Sequence, residues 1–252
     1  MMRDPTLVEN YVKYCEIASQ TFKNGELNLM QLSWVYPTTL LPVFHLKQEF
    51  SFKCRASPEI SKYLKIMEKG KVIKGSTYLP FVQLTNDKSE EILDYLHDML
   101  DEDYGGKNAL SYLLCELTDN IYQHSKFNSS YILAQKYPKK GFMEICFLDD
   151  GISIPGNFEK HDYPFEDDSD AITKAMNGVS TKDIHERGYG LNSILHIFKD
   201  NGGEMLVVSR RGVFYNSQET SENYLLRKPN EFQGTLVSLR VYKTTINIYD
   251  YI

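Results

Sequence analysis

Residues 107–126, KNALSYLLCELTDNIYQHSK, place Leu110, Leu113, Leu114, Leu117 and Ile121 at helical spacing. That apolar stripe predicts an amphipathic helix. Glu116, Asn120 and His124 recur at four-residue intervals and form a single row along one edge of the stripe. A row on the border of a buried face points into a cleft rather than into bulk water. A carboxylate one turn from a carboxamide suits a general base beside an oxygen ligand for Mg²⁺. Taken alone, the same row reads as the polar flank of any amphipathic helix, so the surrounding sequence decides.

Downstream, an apolar strand over 142–149 ends in Leu148-Asp149-Asp150-Gly151-Ile152-Ser153-Ile154-Pro155. An Asp at a strand end followed by Gly sets a carboxylate beside a backbone that a ligand can approach closely. Such an Asp can accept a hydrogen bond from an exocyclic amine, although Asp-Gly is also an ordinary turn. Gly178-Val179-Ser180-Thr181-Lys182 follows, and then Arg187-Gly188-Tyr189-Gly190-Leu191 opens a helix over 191–199. Glycines before a helix expose backbone N–H groups suited to phosphate, and Ser180, Thr181, Lys182 and Arg187 add hydroxyl and cationic groups. Gly234-Thr235 begins a last apolar strand over 234–242.

In order, these features are E-x-x-x-N-x-x-x-H, D-x-G-x-x-I-P, R-G-x-G-L and G-T. Over residues 90–243 the chain resembles the GHKL (histidine kinase-like, Bergerat-fold) ATPase superfamily, which includes DNA gyrase B, chaperone and mismatch-repair ATPases, sensor histidine kinases and anti-sigma-factor kinases. The resemblance implies Mg²⁺ on Asn120 and Glu116 polarising the attacking water or acceptor hydroxyl. It also implies Asp149 on the adenine amino group, backed by Thr235 through water, with Gly151 giving the ring its backbone approach. Gly188 and Gly190 would line the triphosphate, with Lys182 and Arg187 as phosphate ligands. Ser180, Thr181 and the remaining motif positions His124, Ile154, Tyr189 and Leu191 join the nucleotide-binding set. The segment 155–187 would be a mobile lid. Two departures fall where backbone crowds the nucleotide: Ser153 stands where the family has a second Gly, and GLNS replaces GLGL at 190–193.

The implied fold is α+β, a two-layer sandwich with a mixed sheet covered by helices, preceded by a small α/β N-terminal domain. The implied division is 1–85 and 86–252. Three functions follow from the resemblance: a Mg-dependent ATPase or kinase-like signalling switch, an anti-sigma-like protein serine/threonine kinase, or a non-catalytic nucleotide-sensing adaptor. Retention of Glu116 favours the catalytic two. ATP or ADP and a protein partner are expected, and a homodimer is compatible with the family.

Upstream, apolar spacing predicts a helix over 7–22 and a strand through 27–35. Pro37-Thr38-Thr39 opens an apolar helix, and Ser57-Pro58-Glu59 opens another that ends at Gly70. Residues 76–84 read as β, and 90–101 as a helix. Further strands are expected at 131–136, 204–210 and 212–215. The strand followed by Pro37-Thr38-Thr39 is similar to STAS domains, a resemblance that implies Thr38 or Thr39 as an internal phosphoacceptor; read from the residues, Thr38 is a helix N-cap. His45 and His97 lack the long helical hairpin of a sensor-kinase phosphoacceptor.

Composition bounds the rest. The chain has 252 residues, 42% hydrophobic, with 28 Lys and Arg against 34 Asp and Glu, a net charge of -6. An acidic balance disfavours sequence-independent nucleic-acid binding. No apolar run approaches a membrane span, the start lacks signal-peptide character, and the four cysteines show no metal spacing. The expectation is a soluble cytoplasmic protein.

Overall fold

The computed structural model describes residues 3–85, 89–99, 115–118, 127–179, 191, 192, 195 and 202–243. The first helix, α1 (Leu7–Asn24), starts in a reciprocal capping box: Thr6 accepts from the Glu9 amide, and Glu9 accepts from the Thr6 amide. It stops at Gly25, whose positive φ suits a left-handed cap. Strand β1 (Glu26–Leu29) is shorter than expected, because the Asn28 side chain accepts from the Met30 amide and a Leu32-to-Leu29 bond turns the chain. Helix α2 (Pro37–Phe50) has Tyr36 as its N-cap, so Thr38 lies inside the helix rather than capping it. Strand β2 (Lys53–Ala56) runs parallel to β1. The Ser57 side chain caps α3 (Pro58–Lys69).

Strand β3 (Tyr78–Gln83) and helix α4 (Ser89–Met99) follow. Then come β4 (Ser130–Tyr137), β5 (Phe142–Asp149), α5 (Ile154–Lys160) and α6 (Asp168–Met176). The last strands are β6 (Glu204–Arg210), β7 (Gly212–Asn216), β8 (Ser221–Leu225) and β9 (Phe232–Tyr242). Residues 115–118 are helical, in line with the spacing around Glu116. Among the described residues the sheet has seven strands in the order β3-β4-β5-β9-β6-β7-β8. The class is α+β. The expected mixed sheet is instead antiparallel at every pairing. Hairpins join β4 to β5, β6 to β7 and β7 to β8, and β9 inserts between β5 and β6, which therefore run in the same direction.

The expected two layers become three, because both faces of the sheet are apolar. On one face Phe147, Val207 and Val237 pack with Leu96 of α4, Leu117, and Ile172 and Met176 of α6. On the opposite face Leu133, Cys146, Leu148, Leu206 and Val208 pack with Leu7 of α1, Leu40 and Phe44 of α2, and Leu64 of α3. The N-terminal helices thus bury their apolar sides on the sheet that carries the motifs, and β3 extends that sheet. Among the described residues, no helix is long and apolar enough to cross a membrane.

A polar row is buried within the second face. Glu144 of β5, Arg240 of β9 and Glu204 of β6 are register neighbours. Arg240, 1% exposed, donates to Glu204 at 2.8 Å and to Glu144 at 3.0 Å. The Leu7 amide at the start of α1 reaches Glu204, and the Thr38 amide near the start of α2 reaches Glu144. Each carboxylate therefore takes an otherwise unpaired N–H at the positive end of a helix. Burial alone would lower the Arg240 pKa, but the two glutamates outweigh it and hold the guanidinium more strongly protonated than usual.

Candidate functional site

The first face of the sheet carries most of the motif residues within the described structure. Along β5 the residues that face it alternate through Met143, Ile145 and Phe147 to Asp149. Along β9 they run from Leu239 and Val237 to Thr235, and along β6 from Met205 and Val207 to Ser209. Asp149 pairs with Thr235, and Thr235 pairs with Ser209. Three polar side chains therefore stand side by side across three adjacent strands. Asp149 is 3% exposed and Thr235 is half-buried.

Backbone geometry holds the line together. Asp149 Oδ1 accepts from the Gly151 amide at 2.9 Å. Gly234 has φ +90°, and a Cβ built there would lie 1.9 Å from the Asp149 carbonyl oxygen. Only glycine allows β9 this close to β5 beside the carboxylate. Asp150 has a separate job: its side chain accepts from the Asn128 and Ser129 amides and fixes the entry to β4. Ser153 has φ 71° and ψ 163°, a conformation that essentially only glycine adopts freely. The second glycine of the resembled motif is thus absent while the backbone it would serve is present. The Ser153 hydroxyl accepts from the Gly156 amide, which caps α5.

Glu116 is half-buried and adjoins Leu117, which is 2% exposed in the core beneath the site. A polar residue on the border of the buried stripe is what the spacing predicts there. Ile154 and Leu191 are part-buried against the same core. Asn192, at the first departure from GLGL, donates to the carbonyl of Met176 at the end of α6 at 2.9 Å, which gives that substitution a structural role. Asn120, His124, Ser180, Thr181, Lys182, Arg187, Gly188, Tyr189 and Gly190 lie outside the described residues.

The expected lid over 155–187 changes in its first part. Phe158 of α5 and Ala171, Ile172 and Met176 of α6 are buried, and α6 packs on β7. Arg210 makes a bidentate pair with Glu159 at 2.6 and 2.7 Å, which draws the Glu159 carboxyl below its ordinary range. Helices α5 and α6 are anchored against the sheet by apolar burial, which leaves the lid expectation on positions 180–187, outside the described residues. Thr38 and Thr39 are also committed. Thr38 Oγ1 donates to Glu144 at 2.6 Å and Thr39 Oγ1 to the Asn10 carbonyl at 2.7 Å, and both are buried. His45 is part-buried in α2 with Glu49 at 3.8 Å, and burial lowers its pKa.

No protein-family model, curated protein or solved structure matches this chain.

Sequence reasoning passed over Ser209. It ends an apolar strand, Met205 to Ser209, on the same face as Asp149 and Thr235. The signal was alternation: a Ser that continues an inward-facing row at the level of two motif residues.

Proposed function

We propose that the chain is a Mg-dependent ATP-binding protein of the GHKL type that hydrolyses ATP or transfers its γ-phosphoryl group as a signalling switch. The observation that supports this most is the direct cross-strand pairing of Asp149 with Thr235, beside a glycine-only approach at Gly234 and the Gly151 amide on the carboxylate. Opposed residues of this kind lie about 5 Å apart at Cβ. A carboxylate and a hydroxyl at that separation suit the amino edge of a purine. Glu116, on the border of the same core, is the base that would orient a water or an acceptor hydroxyl. Asn120 would hold Mg²⁺, and Lys182, Arg187, Gly188 and Gly190 would face the phosphates. Bound Mg·ATP supplies a phosphoryl group whose transfer depends on charge neutralisation and positioning.

Calorimetric titration with ATP and ADP, with and without Mg²⁺, tests the reading. Micromolar to millimolar binding that Asn120→Ala weakens only in the presence of Mg²⁺ is expected. Glu116→Ala is expected to keep binding and lose turnover by about a hundredfold or more. Absence of binding by either nucleotide at millimolar concentration overturns the proposal. Label from γ-phosphate on a protein rather than in solution marks a kinase, and binding without turnover in the unmodified protein marks an adaptor.

A further inference from the structure

Ser209 is fully buried, and its hydroxyl touches three polar groups. The Ile154 amide donates to it at 2.9 Å, the Gly234 carbonyl lies at 2.9 Å, and Thr235 Oγ1 lies at 3.0 Å. A serine hydroxyl has one proton and two acceptor sites. The amide can only donate and the carbonyl can only accept. One proton arrangement therefore makes all three contacts hydrogen bonds: Ser209 donates to Gly234, accepts from Ile154, and accepts from Thr235.

The consequence falls on Thr235. Its single proton is committed to Ser209, so towards its other neighbour it presents lone pairs alone. That other neighbour in the row is Asp149, whose carboxylate is itself an acceptor. We infer that Ser209 is a positioning residue that locks Thr235 as an acceptor, so that the row Asp149–Thr235 selects a ring edge bearing an amino group and rejects one bearing a keto oxygen. This rests on the nucleotide reading above and specifies which bases the site takes. A 6-amino purine supplies two N–H donors, one for Asp149 and one for Thr235 directly or through a water. A 6-oxo purine would set a third acceptor against the two, an unpaired buried arrangement that costs affinity. The same hydroxyl ties the start of α5 to β9, so a change at Ser209 is felt where the Gly151–Ile154 loop meets the base.

The test is a double-mutant cycle on the full chain, with Kd measured for ATP and for ITP. The unmodified protein is expected to prefer ATP. Ser209→Ala frees the Thr235 proton to face a keto oxygen and is expected to narrow that preference by about tenfold. Thr235→Val removes the acceptor and narrows it similarly, and adding Ser209→Ala to Thr235→Val leaves the ratio unchanged. A purely structural role for Ser209 would weaken both nucleotides alike, or persist in the Thr235→Val background; either result overturns the inference. If Ser209→Ala does not fold by thermal melting, Thr235→Val alone decides, and an unchanged ratio there overturns it. Binding of neither ATP nor ITP to the unmodified protein overturns the nucleotide reading itself, whereas binding of both with equal affinity overturns only the selection by Ser209.

Discussion

Ser153 places a β-carbon where the chain needs a glycine. The backbone angles φ 71° and ψ 163° are sterically unfavourable for any residue with a Cβ, and one hydrogen bond from the Gly156 amide compensates in part. Conformations of this kind cost about 1–3 kcal/mol for a non-glycine residue, while exchanging a Ser cap for Gly costs only about a few tenths. The greater freedom of glycine in the unfolded chain takes back up to about 1 kcal/mol. Ser153→Gly is therefore expected to raise stability by about 1 kcal/mol, read as a higher urea midpoint at constant slope. Gly234 is the opposite case, since a methyl group there would strike the Asp149 carbonyl. Strain at Ser153 and close approach at Gly234 both lie within the loop and strand that frame Asp149.

The two helix N-termini that meet the Glu144–Arg240–Glu204 row give the N-terminal layer its register on the sheet. An apolar face alone would tolerate sliding, whereas an amide of α1 on Glu204 and an amide and hydroxyl of α2 on Glu144 fix the position of each helix. Thr38→Val keeps the shape and removes one hydrogen bond to a charged group, so a loss of about 1.5–3 kcal/mol is expected in chemical denaturation. Thr39→Val removes a bond to a neutral carbonyl and is expected to cost about 1 kcal/mol. This row also marks where sequence reading stops. Glu144, Glu204 and Arg240 occupy alternate strand positions that, taken one at a time, look solvent-facing; their partners are 36 and 96 residues away in the chain. The apolar runs of β5 and β6, the Ser57-Pro58 start of α3, and the Asp149 and Thr235 positions were legible because each signal is local. Strands β2 and β8 were not, since mostly exposed residues carry no alternation. Helix α5 hides behind Ser153, whose backbone no propensity would assign.

Both faces of the central sheet are covered, so its interior thiol reports on the whole molecule. Cys146 is fully buried under α2, with Sγ 2.9 Å from Ser238 Oγ, and burial pushes its pKa upward. Cys54 is exposed. Under native conditions iodoacetamide is expected to label Cys54 readily and Cys146 only as the back layer opens, which peptide mass spectrometry with a urea series resolves. Labelling of Cys146 at the rate of Cys54 would mean that the N-terminal helices leave the sheet independently of global unfolding. The place of β9 adds a matter of timing. It joins β5 to β6 at the middle of the sheet, yet it is the last of the seven strands to emerge during synthesis. Until it arrives, β5 and β6 each lack the partner that pairs the amides and carbonyls of their inner edge. Between the synthesis of β6 and that of β9 the protein is therefore obliged to keep those two edges from meeting the wrong partner.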